Sequence, residues 1–109
     1  MKPVDWVGSS LSDLRRFDAD ARSEAGYQLD KVQRGEEPTD WKPMPSVGMG
    51  VNEIRIHGAT EDRVIYIAKF AEAVYVLHAF TKKTQQTSPK DIEVARKRFA
   101  QLIRERTGQ

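Results

Sequence analysis

Apolar and polar residues change rhythm twice along the chain. Pro3 to Val7 alternates Val4 and Trp6 with Asp5, the pattern of a short strand that Pro3 confines to a strand start or an edge. Gly8 ends it. Ser10 with Asp13 three residues later predicts a helix start, and Leu11, Leu14 and Phe17 share one side of the helix that follows. Asp18 is placed to cap a second helix, in which Ala21, Ala25, Leu29 and Val32 recur at helical spacing, Asp30 and Arg34 pair outside, and Gly35 supplies the stop.

From Glu36 to Gly50 the chain carries Pro38, Pro43, Pro45, Gly48 and Gly50, a density that predicts an irregular loop, with Trp41, Met44 and Val47 folding back onto the core. The period then becomes two. Val51–Ile56, Arg63–Phe70 and Ala73–Phe80 are rich in Val, Ile, Tyr and Phe, and their short connections imply an antiparallel meander. The third run is almost continuously apolar, which places it inside the sheet with a helix over one face; His78 is its one strongly polar member. After the polar tract Thr81–Thr87, Ser88-Pro89 with Asp91 reads as a cap, a first-turn proline and a capping acid. The final helix has Ile92, Ala95, Phe99, Leu102 and Ile103 as its apolar stripe, a Glu93–Lys97 pair outside, and a cationic face of Arg96, Arg98, Arg104 and Arg106. The order strand, two helices, loop, three-strand meander, helix is an α+β fold, and 109 residues hold one domain with a single core.

Composition narrows the classes. There is no cysteine, so disulfides and thiolate chemistry are excluded, and no apolar run reaches the roughly 18 residues that span a membrane. Met1–Ser10 lacks a signal peptide's apolar stretch, so the chain is expected to stay in the cytoplasm. The net charge of +2 hides an asymmetry: Met1–Ala68 has 9 Lys/Arg against 12 Asp/Glu, whereas from Lys69 onward there are 9 against 4. A polyanion, if bound, meets the second half; two solvated helical faces are the plainer account of the same numbers.

His57 and His78 are the only histidines and lack ligand spacing, so neither a metal nor a cofactor is expected. What remains is His78, Lys82 and Lys83 after the last strand, with Arg55 and Arg63 on the two strands before it. Alternation separates Arg55 from Ile54 and Ile56, which places it on an uncovered face, and Arg63 is poorly suited to burial. Both also read as ordinary solvated strand residues. Such cations suit cleavage of RNA by its own 2′-hydroxyl, which needs a base, an acid and positive charge around the phosphoryl oxygens. Lys82 and Lys83, as neighbours, disfavour each other's charge and offer one of them as a base, or else both bind phosphate. His78 is either a satisfied core residue or a member of the site. Exposure of these groups predicts that Arg63→Ala and Lys83→Ala remove activity without loss of fold.

The stretches from Ala25 to Gly35, Trp41 to Gly48, Glu53 to Ile56, Arg63 to Tyr66, and Lys69-Phe70 through Leu77 to Thr84 resemble the phage-derived, HigB-like branch of the RelE toxin superfamily. That resemblance covers nearly the whole chain. It implies a RelE-type fold, messenger RNA cleavage on the ribosome, and inhibition by a cognate antitoxin, commonly a helix-turn-helix DNA-binding protein; the free toxin is expected to be a monomer. By position Arg55, Arg63 and Lys83 match the family's RNA-holding and RNA-cleaving residues, with Lys82 and His78 beside them. Glu53 stands where some relatives carry a lysine, and the last helix lacks a tyrosine some relatives stack on a base. The competing readings are a catalytically silent protein that keeps the fold and binds an antitoxin or host factor, and a plain RNA-binding module.

Overall fold

The computed structural model describes residues 1–108. Its elements are β1 (Val4–Trp6), α1 (Ser10–Arg15), α2 (Ala19–Gln33), β2 (Trp41–Pro43), β3 (Val51–His57), β4 (Glu61–Ile67), β5 (Val74–Lys82) and α3 (Pro89–Arg106). The strands form one sheet in the order β1-β5-β4-β3-β2, antiparallel throughout except for the parallel β1–β5 pair. This is the expected α+β order.

Local chemistry sets the helix ends. Asp18 accepts from the Ala21 N–H at 2.9 Å, and Ser88 Oγ accepts from the Asp91 N–H at 3.2 Å, so each satisfies a first-turn donor that the helix cannot. Gly35 follows α2 at φ 83°, a left-handed conformation that favours glycine. Asp30 and Arg34 pair at 3.1 Å.

Two expectations change. The loop from Glu36 to Gly50 contains an extra edge strand: β2 pairs Trp41 with Ile54, Lys42 with Glu53 and Pro43 with Asn52. Pro43 is tolerated because an edge strand has one unpaired side, and a three-residue edge carrying Lys and Pro resists further pairing. The sheet is also covered on both faces. Leu14, Phe17, Ala21, Ala25, Leu29 and Val32 of the first two helices pack on Ile54, Ile56, Val64, Tyr66, Val74 and Val76. On the other face Ala95 and Leu102 of α3 pack on Val51, Ile65, Ile67, Tyr75 and Leu77, with Met44 and Val47 folded in from the loop as expected. Full burial of such an aliphatic side chain contributes about 1.5–3 kcal/mol, so neither face can be left wet.

The cationic face expected on α3 is partly neutralised. Arg98 donates to the Leu77 carbonyl at 2.9 Å and meets Asp13 at 3.4 Å. Arg106 pairs with Glu72 at 2.7 Å and lies 3.6 Å above the Phe70 ring. Glu93 pairs with Arg96, at 4.0 Å, rather than with Lys97. None of the helices described is long and apolar enough to cross a membrane.

The loop meets α3 at Gly48, where an added Cβ would stand 2.4 Å from Phe99 Cε2. Gly48→Ala should therefore destabilise the protein by about 1–3 kcal/mol through overpacking. Denaturant unfolding of the variant checks this, and an unchanged midpoint would show that the ring yields freely.

Candidate functional site

Register across β3, β4 and β5 builds a grid of side chains on the face that α3 covers in part. Arg55 pairs with Arg63, and Arg63 with Phe80; Glu53 pairs with Ile65, and Ile65 with His78; His57 pairs with Glu61, and Glu61 with Lys82. Residues directly opposite one another in a sheet share a face, about 5 Å apart. The grid thus gathers Arg55, Arg63, Lys82 and His78 with the carboxylates Glu53 and Glu61. The first turn of α3 and the residue before its cap reach the Glu53–His78 row, where Asp91 Oδ1 lies 2.8 Å from His78 Nε2 and Thr87 Oγ1 donates to Glu53 at 3.4 Å.

Arg63 is the centre of this arrangement and departs from expectation. It is 2% exposed, and Glu53 beside it is 1% exposed. Its Nη2 donates to Glu61 at 3.2 Å and its Nη1 to the Asp62 carbonyl at 3.0 Å, while its Nε lies 3.7 Å from Glu53 Oε1, an ion-pair distance outside hydrogen-bonding reach. A buried guanidinium is tolerable because carboxylates flank it on both sides. Arg55, directly opposite, lies on the face away from Ile54 and Ile56, as alternation requires, but is half-buried rather than open. Two arginines directly opposite repel each other, and the carboxylates of Glu53 and Glu61 beside Arg63 reduce that cost.

His78 is 8% exposed; its ring stacks on Phe80 with centroids 5.0 Å apart, and its Nδ1 lies 3.8 Å from Asp13. It is therefore a core histidine satisfied at one nitrogen only. The proposed Lys82–Lys83 couple is not formed as a unit. Lys82 stands opposite Glu61 in the grid, whereas Lys83, beyond the strand end, lines a separate groove with Asp13, Arg16, Phe17 and His78. Successive residues of an extended chain point to opposite sides, so adjacency in sequence separated the two ammonium groups.

Among the described residues, the buried side-chain nitrogens and oxygens without a hydrogen-bond partner are Arg55 Nε, Arg63 Nε and His78 Nδ1. An orphaned buried polar atom costs about 1–3 kcal/mol, so each one calls for a compensating role or partner. All three lie in adjacent rows of this grid.

Sequence reasoning noted Glu53 only as a departure from relatives and Asp91 only as a capping acid, and it did not place Glu61. Glu53 was readable as the i−2 neighbour of Arg55 and hence on its face; Glu61 and Asp91 required the register. His57 was missed as well. Its Nε2 lies 2.5 Å from Asp40 Oδ2 and its Nδ1 2.7 Å from Glu61 Oε1, the same oxygen that meets Arg63. Carboxylates only accept, so both ring nitrogens donate and His57 is an imidazolium in this geometry. Among the described residues no three of His, Asp and Glu are arranged as a metal-binding group.

Two outcomes follow from these contacts. Arg63→Ala leaves Glu53 buried without its cation, which typically costs about 3–5 kcal/mol, so the variant should unfold at markedly lower denaturant, contrary to the expectation of an intact fold. Arg55→Ala, measured alongside, should lose much less. For His57, hydrogen bonds first to Asp40 and then to Glu61 raise the pKa above its ordinary 6.5. A raised folded-state pKa gives stability that is fully present below the unfolded value and is lost as pH rises through the folded one. The melting-temperature advantage of the wild type over His57→Ala should thus be largest below pH 6.5 and shrink above it; an advantage independent of pH would refute the imidazolium assignment.

Among curated proteins none matches this sequence. A family model described as "Phage derived protein Gp49-like (DUF891)" matches residues 12–100, from within α1 to within α3, and so takes in the whole grid. The chain belongs to this phage-derived Gp49-like family.

Proposed function

We propose that this chain is the toxin of a type II toxin-antitoxin pair and cuts messenger RNA on the ribosome without a metal in the chemical step. The observation that carries the reading is the cluster of orphaned nitrogens on Arg55, Arg63 and His78. A phosphodiester offers acceptors of the kind that the Nε atoms of Arg55 and Arg63 lack. Membership of the Gp49-like family, which is related to the RelE/HigB toxin superfamily, supports it.

In this mechanism the substrate's 2′-oxygen attacks the adjacent phosphorus, the bond from phosphorus to the 5′-oxygen breaks, and Arg55 and Arg63 hold the non-bridging oxygens as charge develops on them. The proton leaving the 2′-oxygen passes to a base and the 5′-oxygen gains one from an acid. Glu61 and Lys82 are the proton-transfer groups on that face, and His78 stands in the adjacent row. The products are a 2′,3′-cyclic phosphate and a 5′-hydroxyl. Lys83 contributes binding from the neighbouring groove. The partner that masks this surface is an antitoxin, of the helix-turn-helix DNA-binding kind.

A second reading has a specific observation behind it. Glu53 and Glu61 already meet the charge of Arg63, which suits a catalytically silent protein that binds an antitoxin or host factor.

Induction of the chain in bacteria should arrest growth, and co-expression of the neighbouring gene product should relieve the arrest. Ribosomes programmed with messenger RNA should yield fragments with cyclic phosphate ends, undiminished by transition-metal chelators at constant magnesium. Arg63→Lys keeps the buried charge but loses the planar fork, and should lower cleavage by about 100 to 1,000-fold in a folded protein. Complex formation with the neighbour, without arrest or cleavage, would favour the silent reading; full activity of Arg63→Lys would place the chemistry elsewhere.

A further inference from the structure

Beside the grid, along β5 where α1 lies against it, a groove of about 300 Å³ is lined by Asp13, Arg16, Phe17, His78, Phe80 and Lys83. Its volume is at the lower end of small-molecule sites, room for one nucleotide. Arg16 and Lys83 are exposed and, among the described residues, form no ion pair, whereas Asp13 is met by Arg98 at 3.4 Å. The uncompensated charge of the groove is therefore positive.

The chemistry of His78 is decided by its neighbours. Nε2 lies 2.8 Å from Asp91 Oδ1, and a carboxylate accepts, so Nε2 carries the hydrogen, and in that tautomer Nδ1 presents a lone pair. Asp13 Oδ2, at 3.8 Å, is outside hydrogen-bonding reach, and it cannot donate. Nδ1 is buried and has no partner. What it lacks is a small neutral donor such as a hydroxyl. Phe80 lines this groove and also stands opposite Arg63, so groove and grid adjoin across one strand spacing.

We propose that the groove is a ribonucleotide subsite, in which Arg16 and Lys83 take a phosphate and the 2′-hydroxyl of the same nucleotide donates to His78 Nδ1. It would hold the nucleotide next to the one cleaved, and this placement rests on the reading of the chain as an RNA-cleaving toxin. Lys83 then serves RNA binding rather than proton transfer, and the subsite tells RNA from DNA by the hydroxyl that DNA lacks.

The test titrates the full-length chain with adenosine 5′-monophosphate and with its 2′-deoxy counterpart, following the ring nitrogens of His78 and the Nε of Arg63 by NMR. The ribonucleotide should shift His78 and bind about tenfold more tightly than the deoxynucleotide, the loss expected for one hydrogen bond. Lys83→Ala and Arg16→Ala, both at exposed positions, should weaken both ligands several-fold, and His78→Asn should abolish the preference. Because the comparison of the two nucleotides on the wild type and on the two surface variants decides the matter, it stands even if His78→Asn does not fold. Equal binding of the two nucleotides, shifts at Arg63 without shifts at His78, or indifference to Lys83→Ala and Arg16→Ala would overturn the subsite. Cleavage separates the two claims: a protein that prefers the ribonucleotide here yet leaves RNA intact supports the groove and refutes the nuclease reading, while one that cuts RNA with no such preference refutes the groove alone.

Discussion

Leu77 has no partner on β4, and the side-chain grid depends on that irregularity. The register runs from Arg63–Phe80 to Ile65–His78 and then to Tyr66–Val76, so β5 carries one residue more than β4 over this stretch. A bulge of this kind resets which face the following side chains take. Val74 and Val76 pack toward α1 and α2, while Leu77 and Phe80 pack toward α3. Strict alternation from Val76 would have sent His78 and Phe80 toward the first two helices. With the bulge, His78 falls in the row of Glu53 and Ile65, and Phe80 in that of Arg55 and Arg63. The near-continuous apolar run of β5 is the sequence that such a strand needs, since both its faces are buried.

The burial of Arg63 follows from the same sheet. β4 lies between β3 and β5, and every residue from Asp62 to Ile67 is buried. A cation can occupy that position only with counter-charge at hand, which Glu53 supplies from one neighbouring strand and Glu61 from two residues before it on the same strand. The buried Asp62 is met by hydrogen bonds instead of charge, Thr81 and Thr60 each donating to its carboxylate, at 2.6 and 2.7 Å. The end of the meander is thus a polar network inserted into an apolar sheet. Such networks add little net stability but fix geometry, because moving one member leaves its partners unpaired. His57 extends the network to the loop before β2 by sharing Glu61 with Arg63.

The helices, the caps of α2 and α3, the strand order of the meander and the irregular, proline-rich character of the loop were legible in the chain. Each rests on local rules: Asp18 and Ser88 cap because their side chains reach N–H groups three residues on, and Gly35 stops α2 because it takes a positive φ. By contrast, α1 is preceded by Ser9 and not capped by Ser10, whose buried hydroxyl donates to the Val76 carbonyl. The strand β2 was not legible, since Trp41–Pro43 has no periodicity of its own and is extended only because β3 offers a free edge. Nor was the double cover of the sheet, because the apolar stripe of α3 says that it packs without saying on which face.

The sequence by itself determined which residues are cationic, where the strands of the meander run to within a few residues, and that Arg55 lies on the face away from Ile54 and Ile56, all consequences of composition and of a two-residue repeat. Tertiary structure alone decided which charges meet across the sheet. Glu53 with Arg63, Asp91 with His78, and the separation of Lys83 from Lys82 depend on inter-strand register, on the bulge at Leu77, and on where the first turn of α3 comes to rest. Those are set by the packing of residues far apart in the chain, and a shift of one position would reassign every partner while leaving the local patterns unchanged.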